Sequence, residues 1–368
     1  MSNLFKLSEQ GFGVHTFEIQ IIHLNKDDYH TIRDRIKDIS IQDSENNCYI
    51  VITEKNSGLR IKLYKNYGNP PYLKVIVNPS LVLGDNNPCH ILTKFDKEHL
   101  RTQLNHALKE QLGNEYDISR FRLTRIDCTV DFVMASSALT KEYIMLVSRC
   151  IRLFSSAETF GFYKDPEYDE DSEYHHSKQK HCFRITNHGF YSFTVYDKLY
   201  DLIDKGHFEN KPYPFGILRF ELALMHRKIR KVSLELGTDD IFELTEYFTG
   251  NSESFLKKQI KYKIVSGDYY KYSSTADLIE EKGISRKKAS RLLWILSKSN
   301  ETVSYNDQMF LVDNELKSDA KLRAAKELMK ELNMNLVALS ERTACNADIL
   351  PGIHTIFSIE RKGAVSNE

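Results

Sequence analysis

Three segments of the chain, RLTRIDCTVDFV (122–133), GFYSFTVYDK (189–198) and ILRFELALMH (217–226), alternate apolar and polar residues with a period of two. Successive side chains of a strand point to opposite faces, so this period calls for strands with one covered and one open face. In the first segment Ile126, Cys128, Val130 and Phe132 share one face, and Arg125, Asp127, Thr129 and Asp131 the other. In the third, Leu218, Phe220, Leu222 and Leu224 oppose Arg219 and Glu221. In the second, Tyr191, Phe193 and Val195 oppose Ser192, Thr194, Tyr196 and Lys198. If the three strands share a sheet, their apolar faces meet one core and their polar faces coincide. That polar face then gathers Asp127, Asp131, Glu221, Arg125, Arg219, Lys198 and Tyr196. Tyr191 belongs with the core, Tyr200 lies past the strand end, and Tyr196 stands among the acids.

HTFEIQIIHL, CYIVITE, LRIKLYK and YLKVIVN read as further strands, rich in β-branched and aromatic residues. DDYHTIRDRIKDI, EHLRTQLNHALKEQL and TKEYIMLVSRCIRLFSS (140–156) have helical periodicity. The expected class is α+β, a mostly antiparallel sheet packed by helices on one side, followed by a helical C-terminal part. A chain of 368 residues is long for one core. The texture divides it into a β-rich unit over 1–235, a helical connector over 236–272, a helix-turn-helix over 273–314, and a C-terminal helix (about 315–334) with a weakly structured tail to 368. In the third part, STADLIEEKGISRKKASRLLWILSK reads helix, turn, helix, and ETVSYNDQMFLVD supplies a hairpin wing turning at Asn306-Asp307.

No apolar run reaches the ~20 residues that span a bilayer, and the first residues carry no apolar leader, so a cytoplasmic location without membrane contact is expected. The six cysteines are scattered without a CxxC pair, which argues against a zinc site or a disulfide framework. The 51 Lys+Arg balance the 51 Asp+Glu. The balance is local, however: DPEYDEDSE (165–173) is acidic, and residues 257–298 hold eleven Lys/Arg against four Asp/Glu. For a nucleic-acid partner the local basic segment matters more than the sum.

Carboxylates converging with a phenol and nearby cations are the ingredients of metal-assisted phosphoryl transfer. A hard cation takes oxygen ligands and favours an ionised hydroxyl nucleophile. A free phenol, with a pKa of ~10, is protonated at neutral pH and needs such neighbours. The competing reading is structural: polar alternation suits any sheet with one wet face, and cross-strand Arg–Asp or Arg–Glu pairs are ordinary. The cluster HHSKQKH (His175, His176, His181) beside the acidic loop reads as surface histidines.

The ordered series LKVIVNPSLVLGDNN (73–87), RIDCTVDF, TVYDKLYDL and LRFELAL resembles rolling-circle replication initiators, above all the filamentous-phage gene II/X type. Related plasmid initiators and conjugative-element relaxases share the Arg-x-Asp, Tyr-x-Lys and Arg-x-Glu layout. The resemblance covers about residues 60–232. It implies an enzyme that nicks one strand of origin DNA, stays joined to the 5′ phosphate through tyrosine, and later rejoins the strand without ATP. Carried over by position, Tyr196 is the nucleophile, Asp127, Asp131 and Glu221 hold a Mg²⁺ or Mn²⁺ ion, and Lys198 and Arg219 stabilise the phosphate. The His-hydrophobic-His motif of many such enzymes is missing, and Asp201 stands where an acid usually follows the tyrosine. The partners implied are duplex and single-stranded origin DNA, a host helicase and polymerase, and a second copy of the chain.

In the helix-turn-helix segment Leu278, Ile279, Ile284, Ala289, Leu292, Leu293 and Leu296 fit a packed helix pair, with Ser285 as N-cap of the second helix. Arg286, Lys287, Lys288 and Arg291 open that helix, where a recognition helix meets base edges and phosphates. Two other classes remain: a DNA-binding regulator without chemistry, and a metal-dependent nuclease that uses water.

Overall fold

The computed structural model describes residues 4–22, 24–37, 40–43, 48–52, 57–65, 70–85, 87, 89–154, 158–162, 181–206, 208–298, 308–309, 312, 314, 319–343 and 347–358. Eleven strands form one sheet: β1 (Phe5–Leu7), β2 (Gly13–Ile21), β3 (Ile41–Asp43), β4 (Cys48–Ile52), β5 (Leu59–Tyr64), β6 (Tyr72–Val77), β7 (Arg122–Met134), β8 (Glu158–Phe162), β9 (Cys182–Asn187), β10 (Tyr191–Asp197) and β11 (Gly216–Met225). Their order is β3-β4-β5-β6-β2-β7-β11-β10-β9-β8, with β1 also paired to β7, and neighbours run antiparallel. The chain is thus α+β, as the alternating segments require.

Register decides what shares a face. Phe193 pairs with Leu222, and Leu222 with Cys128, which pairs with Val14. Val195, Phe220 and Val130 form the next apolar row. Helices cover this face. Ile241–Lys263 lies against β7 and β2, and Ser137–Arg149 against β11 and β10. Phe242, Phe248 and Leu256 of the former are buried completely. The stretch read as a connector therefore contributes to the sheet's own core.

Two helix ends differ from the sequence reading. The helix expected over 140–156 runs from Ser137 to Arg149, with Ser136 accepting the Leu139 N–H at its start. It stops because the next residues are captured by backbone bonds from Val265 N–H to Cys150 and from Arg152 N–H to Lys263. The C-terminal helix spans Asp319–Glu331, and the segment after it returns to the core instead of trailing away. Ile349–Leu350 pairs with Tyr269–Tyr270. The short helix Ile353–Phe357 then sets the Phe357 ring 5.1 Å from Phe132 and 4.9 Å from Phe220, directly behind β7 and β11.

Beyond the sheet, helices Tyr272–Glu281 and Arg286–Lys298 pack on each other, joined by a turn that passes through Gly283 at φ +60°. Ile279, Leu292 and Leu296 are buried there. Leu278, Ile284, Ala289 and Leu293 pack around them. Ser285 takes the cap position, its carbonyl accepting from Ala289 N–H. The expected wing, with its turn at Asn306-Asp307, lies outside the described residues, as does the acidic loop 165–173. No described helix is long and apolar enough to cross a membrane.

Candidate active site

The polar face of the sheet carries a cleft of about 400 Å³ floored by β2, β7, β10 and β11. Tyr196 lies opposite Arg219, and Arg219 opposite Asp131, in one row across β10, β11 and β7. One row along, Thr194 faces Glu221 and Glu221 faces Thr129. Asp127 follows one row further, opposite Ala223. The face read from the two-residue period is therefore the face observed.

At its centre the Tyr196 hydroxyl donates to Glu221 Oε2 at 3.2 Å. Burial first, then the Glu221 charge, push the phenol well above its usual pKa, while Arg219 pulls it back. Burial and the neighbouring Asp127 raise the Glu221 carboxyl in turn. Asp127 is 1% exposed; its Oδ2 accepts from the Thr16 hydroxyl and from Arg125 Nη2 at 2.9 Å, while Oδ1 is buried with no hydrogen-bond partner. Thr16 reaches it because β2 carries a bulge at His15, between Val14 and Thr16. Arg125 continues toward Glu18, 3.8 Å away, which also receives Lys74 at 3.2 Å.

The metal assignment needs one correction. Both oxygens of Asp131 are taken by Arg219, whose Nε and Nη2 donate at 2.6 and 2.7 Å. Burial works against the Arg219 charge and Asp131 more than restores it, so this guanidinium stays charged. Among the described residues no three His, Cys, Asp or Glu side chains stand together as a metal-ligand group. Asp131 is an ion-pair partner, because a fully buried arginine needs a counter-charge more than the sheet needs a third ligand. Asp127 and Glu221 remain. Two carboxylates, one with an unused oxygen, suit a cation such as Mg²⁺, which completes its shell with water and substrate phosphate.

Lys198 is also placed differently. β10 ends at Asp197, whose carboxylate accepts the Tyr200 N–H at 3.1 Å and so starts the helix Lys198–Asp204. Lys198 is the first helical residue, not the next on the strand face, yet it still lines the cleft. Its Nζ bonds Asp201 at 2.9 Å, and burial followed by the Arg219 charge lowers its pKa. Asp201, bonded also by Lys205, is held down at about 2: burial opposes its charge, and the two lysines outweigh that. Arg219 keeps one outlet, since its Nη1 is buried without a partner.

From the motif NPSLVLGDNN, Asn78 and Leu81 line one rim. Asn78 caps the helix Pro79–Val82, with Pro79 in its first turn, and lines the cleft. Further on, the Cys89 carbonyl accepts from Arg219 and Leu92 bridges to Val14. Gly13 permits this approach, since a Cβ there would lie 2.3 Å from the Leu92 oxygen.

Sequence reading missed several cleft residues: His15, Thr16, Arg60, Arg184 and, most of all, the pair His181–Asp197. His181 is buried, not on the surface, while His175 and His176 lie outside the described residues. The signal was the turn NHGF, with Gly189 at φ +83°, which pairs 182–187 with 191–196 and puts His181 beside Asp197. In the C-terminal helix pair, Arg286, Lys287 and Lys288 are exposed and Arg291 is half-buried.

No protein-family model matches the chain, and no curated protein matches it. Among solved structures, that of a rolling circle replication initiator protein from Geobacillus stearothermophilus aligns over 69% of this chain and 85% of that one, at 10% identity and a TM-score of 0.32. A likeness of that size carries no argument about this chain.

Proposed function

We propose that the chain is a DNA nicking and closing enzyme that starts rolling-circle replication, or transfer, of a mobile element. One observation carries the reading: a tyrosine hydroxyl bonded to Glu221 in a cleft that also holds Asp127 and Lys198, with the buried Arg219 opposite Tyr196 on the next strand. Tyr196 attacks the scissile phosphate and passes its proton along the existing hydrogen bond to Glu221. The 3.2 Å hydrogen bond gives that proton a direct path to a carboxylate oxygen. Lys198, which lines the cleft, and the buried Arg219 charge beside Tyr196 stabilise the phosphate charge as it builds. Asp127 and Glu221 would hold the Mg²⁺ or Mn²⁺ ion, which would supply Lewis-acid charge to the phosphate. The product is a 5′-phosphotyrosine diester and a free 3′ hydroxyl; one diester replaces another, so rejoining needs no ATP. Arg286, Lys287, Lys288 and Arg291 contact origin duplex.

The test is incubation with supercoiled plasmid bearing the chain's own coding region and Mg²⁺ or Mn²⁺. Nicked circles resistant to SDS and sensitive to protease are expected with the wild type and absent with Tyr196→Phe. Alanine at Arg286, Lys287, Lys288 and Arg291 should weaken duplex binding and flatten its salt dependence, while cleavage of a single-stranded oligonucleotide survives. Nicks without a covalent adduct would point to a nuclease that uses water.

A further inference from the structure

His181 and Asp197 form a buried unit that the proposed reaction has not yet used. His181 is 7% exposed and Asp197 2%. The Asp197 N–H donates to the His181 carbonyl at 2.8 Å, extending the β9–β10 ladder by one pair, and this fixes the two side chains beside each other. His181 Nδ1 lies 3.5 Å from Asp197 Oδ2 and makes no hydrogen bond at that distance. Tyr200 stacks on the imidazole, centroids 3.6 Å apart and planes 15° from parallel. Both rings line the same cleft as Tyr196, whose strand neighbour Cys182 follows His181 directly.

A carboxylate 3.5 Å from one ring nitrogen and a stacked ring on one face leave an imidazole few orientations, and its other edge is the one available for chemistry. That is the arrangement of an oriented acid–base histidine, in which contacts lengthened in the free protein tighten with substrate. The cleft needs such a group. When Tyr196 displaces the 3′ oxygen, that oxygen must gain a proton. The arginines lining the cleft do not release theirs. Lys198 is bonded to Asp201, and Asp201 is shared with Lys205.

We propose that His181, oriented by Asp197, passes the proton to and from the 3′ oxygen of the strand being cut and rejoined. This rests on the reading of Tyr196 as the nucleophile. In cleavage the Tyr196 oxygen–phosphorus bond forms as the phosphorus–O3′ bond breaks. The phenol proton goes to Glu221 and the imidazolium proton to O3′, leaving neutral His181, a phosphotyrosine diester and a 3′ hydroxyl. In rejoining, O3′ attacks, His181 takes its proton back, and Glu221 returns one to Tyr196.

The test compares two single-stranded oligonucleotides carrying the nick site, one natural and one with sulfur in place of the bridging 3′ oxygen. A thiolate leaves without a proton. His181→Gln should lower the adduct rate on the natural strand by about 10² to 10⁴ and leave the sulfur strand near wild type. Asp197→Asn keeps an oxygen for the Tyr200 N–H, so the helix cap survives; it should show a smaller loss with the same sulfur rescue. Equal losses on both strands would make the pair structural and overturn the proposal. So would an unchanged rate on the natural strand, or a sulfur rescue found with Lys198→Met instead. A wild type that forms no adduct on either strand removes the nucleophile reading, and this inference with it. Loss of adduct in Tyr196→Phe on both strands, alongside equal losses for His181→Gln, removes only the inference.

Discussion

Asp131 and Asp127 sit on the same strand face, four residues apart in sequence, and do different work. Asp131 is locked in a two-point ion pair with an arginine that is 0% exposed. Asp127 keeps a free oxygen, and its arginine partner is partly exposed, with Glu18 as a second neighbour. Asp131→Asn therefore strands a buried charge and should cost about 3 to 5 kcal/mol of stability. Asp127→Asn should cost clearly less in stability while removing adduct formation. Urea unfolding of both variants, read beside adduct yield, checks the division. A stable, inactive Asp131→Asn would return that residue to the ligand set. Parity made both acids legible in the sequence, since side-chain alternation is a local property. Which acid the neighbouring arginine would consume was not legible, because that depends on the register of β11 against β7.

At the scale of elements, the helix Lys198–Asp204 shows how a short segment is held without much core of its own. Asp197 caps it, and Asp201 ties its first residue to Lys205 after its last turn. Asp201 is an acid whose pKa falls on folding, from an ordinary 3.8 to about 2. Its contribution is thus fully present above the unfolded value and lost as pH falls through the folded one. That drop corresponds to about 2 kcal/mol. Asp201→Asn should melt below the wild type at pH 7, with the gap closing between about pH 4 and pH 2. A gap that persists unchanged into acid would mean that packing, not charge, holds the helix. Reading FYSFTVYDK as a strand running on to Lys198 overlooked Asp197 as a stop. An aspartate followed three residues later by a donating N–H is a helix-start signal, and it competes with alternation at that point.

On the scale of the whole molecule, the sheet is worked from both sides. Its polar face carries the cleft, and its apolar face rests on helices and on the returning C-terminal segment. Phe357 closes a ring cluster with Phe12, Phe132 and Phe220, and the last two alternate with the polar-face residues Asp131, Arg219 and Glu221 on their strands. Phe357→Ala should cost about 3 to 5 kcal/mol, measured by urea unfolding. Adduct formation should fall at temperatures where the variant is still folded, since β7 and β11 lose their backing. A variant as stable as the wild type would show that the C-terminal return contributes nothing to the sheet.

The sequence alone determined the α+β class, the shared polar face with Tyr196, Asp127, Asp131, Glu221 and Arg219 upon it, and the helix pair with its basic leading turn. Each of these follows from periodicity or capping within a few residues. Tertiary structure decided the rest. It gave Asp131 to Arg219, moved Lys198 from strand to helix, buried His181 against Asp197, and folded residues 349–357 behind β7 and β11. The physical reason is common to all four. An ion pair, a stacked ring or a returning segment is chosen by strand register and by competition for buried partners, and neither is written in the spacing of neighbouring residues.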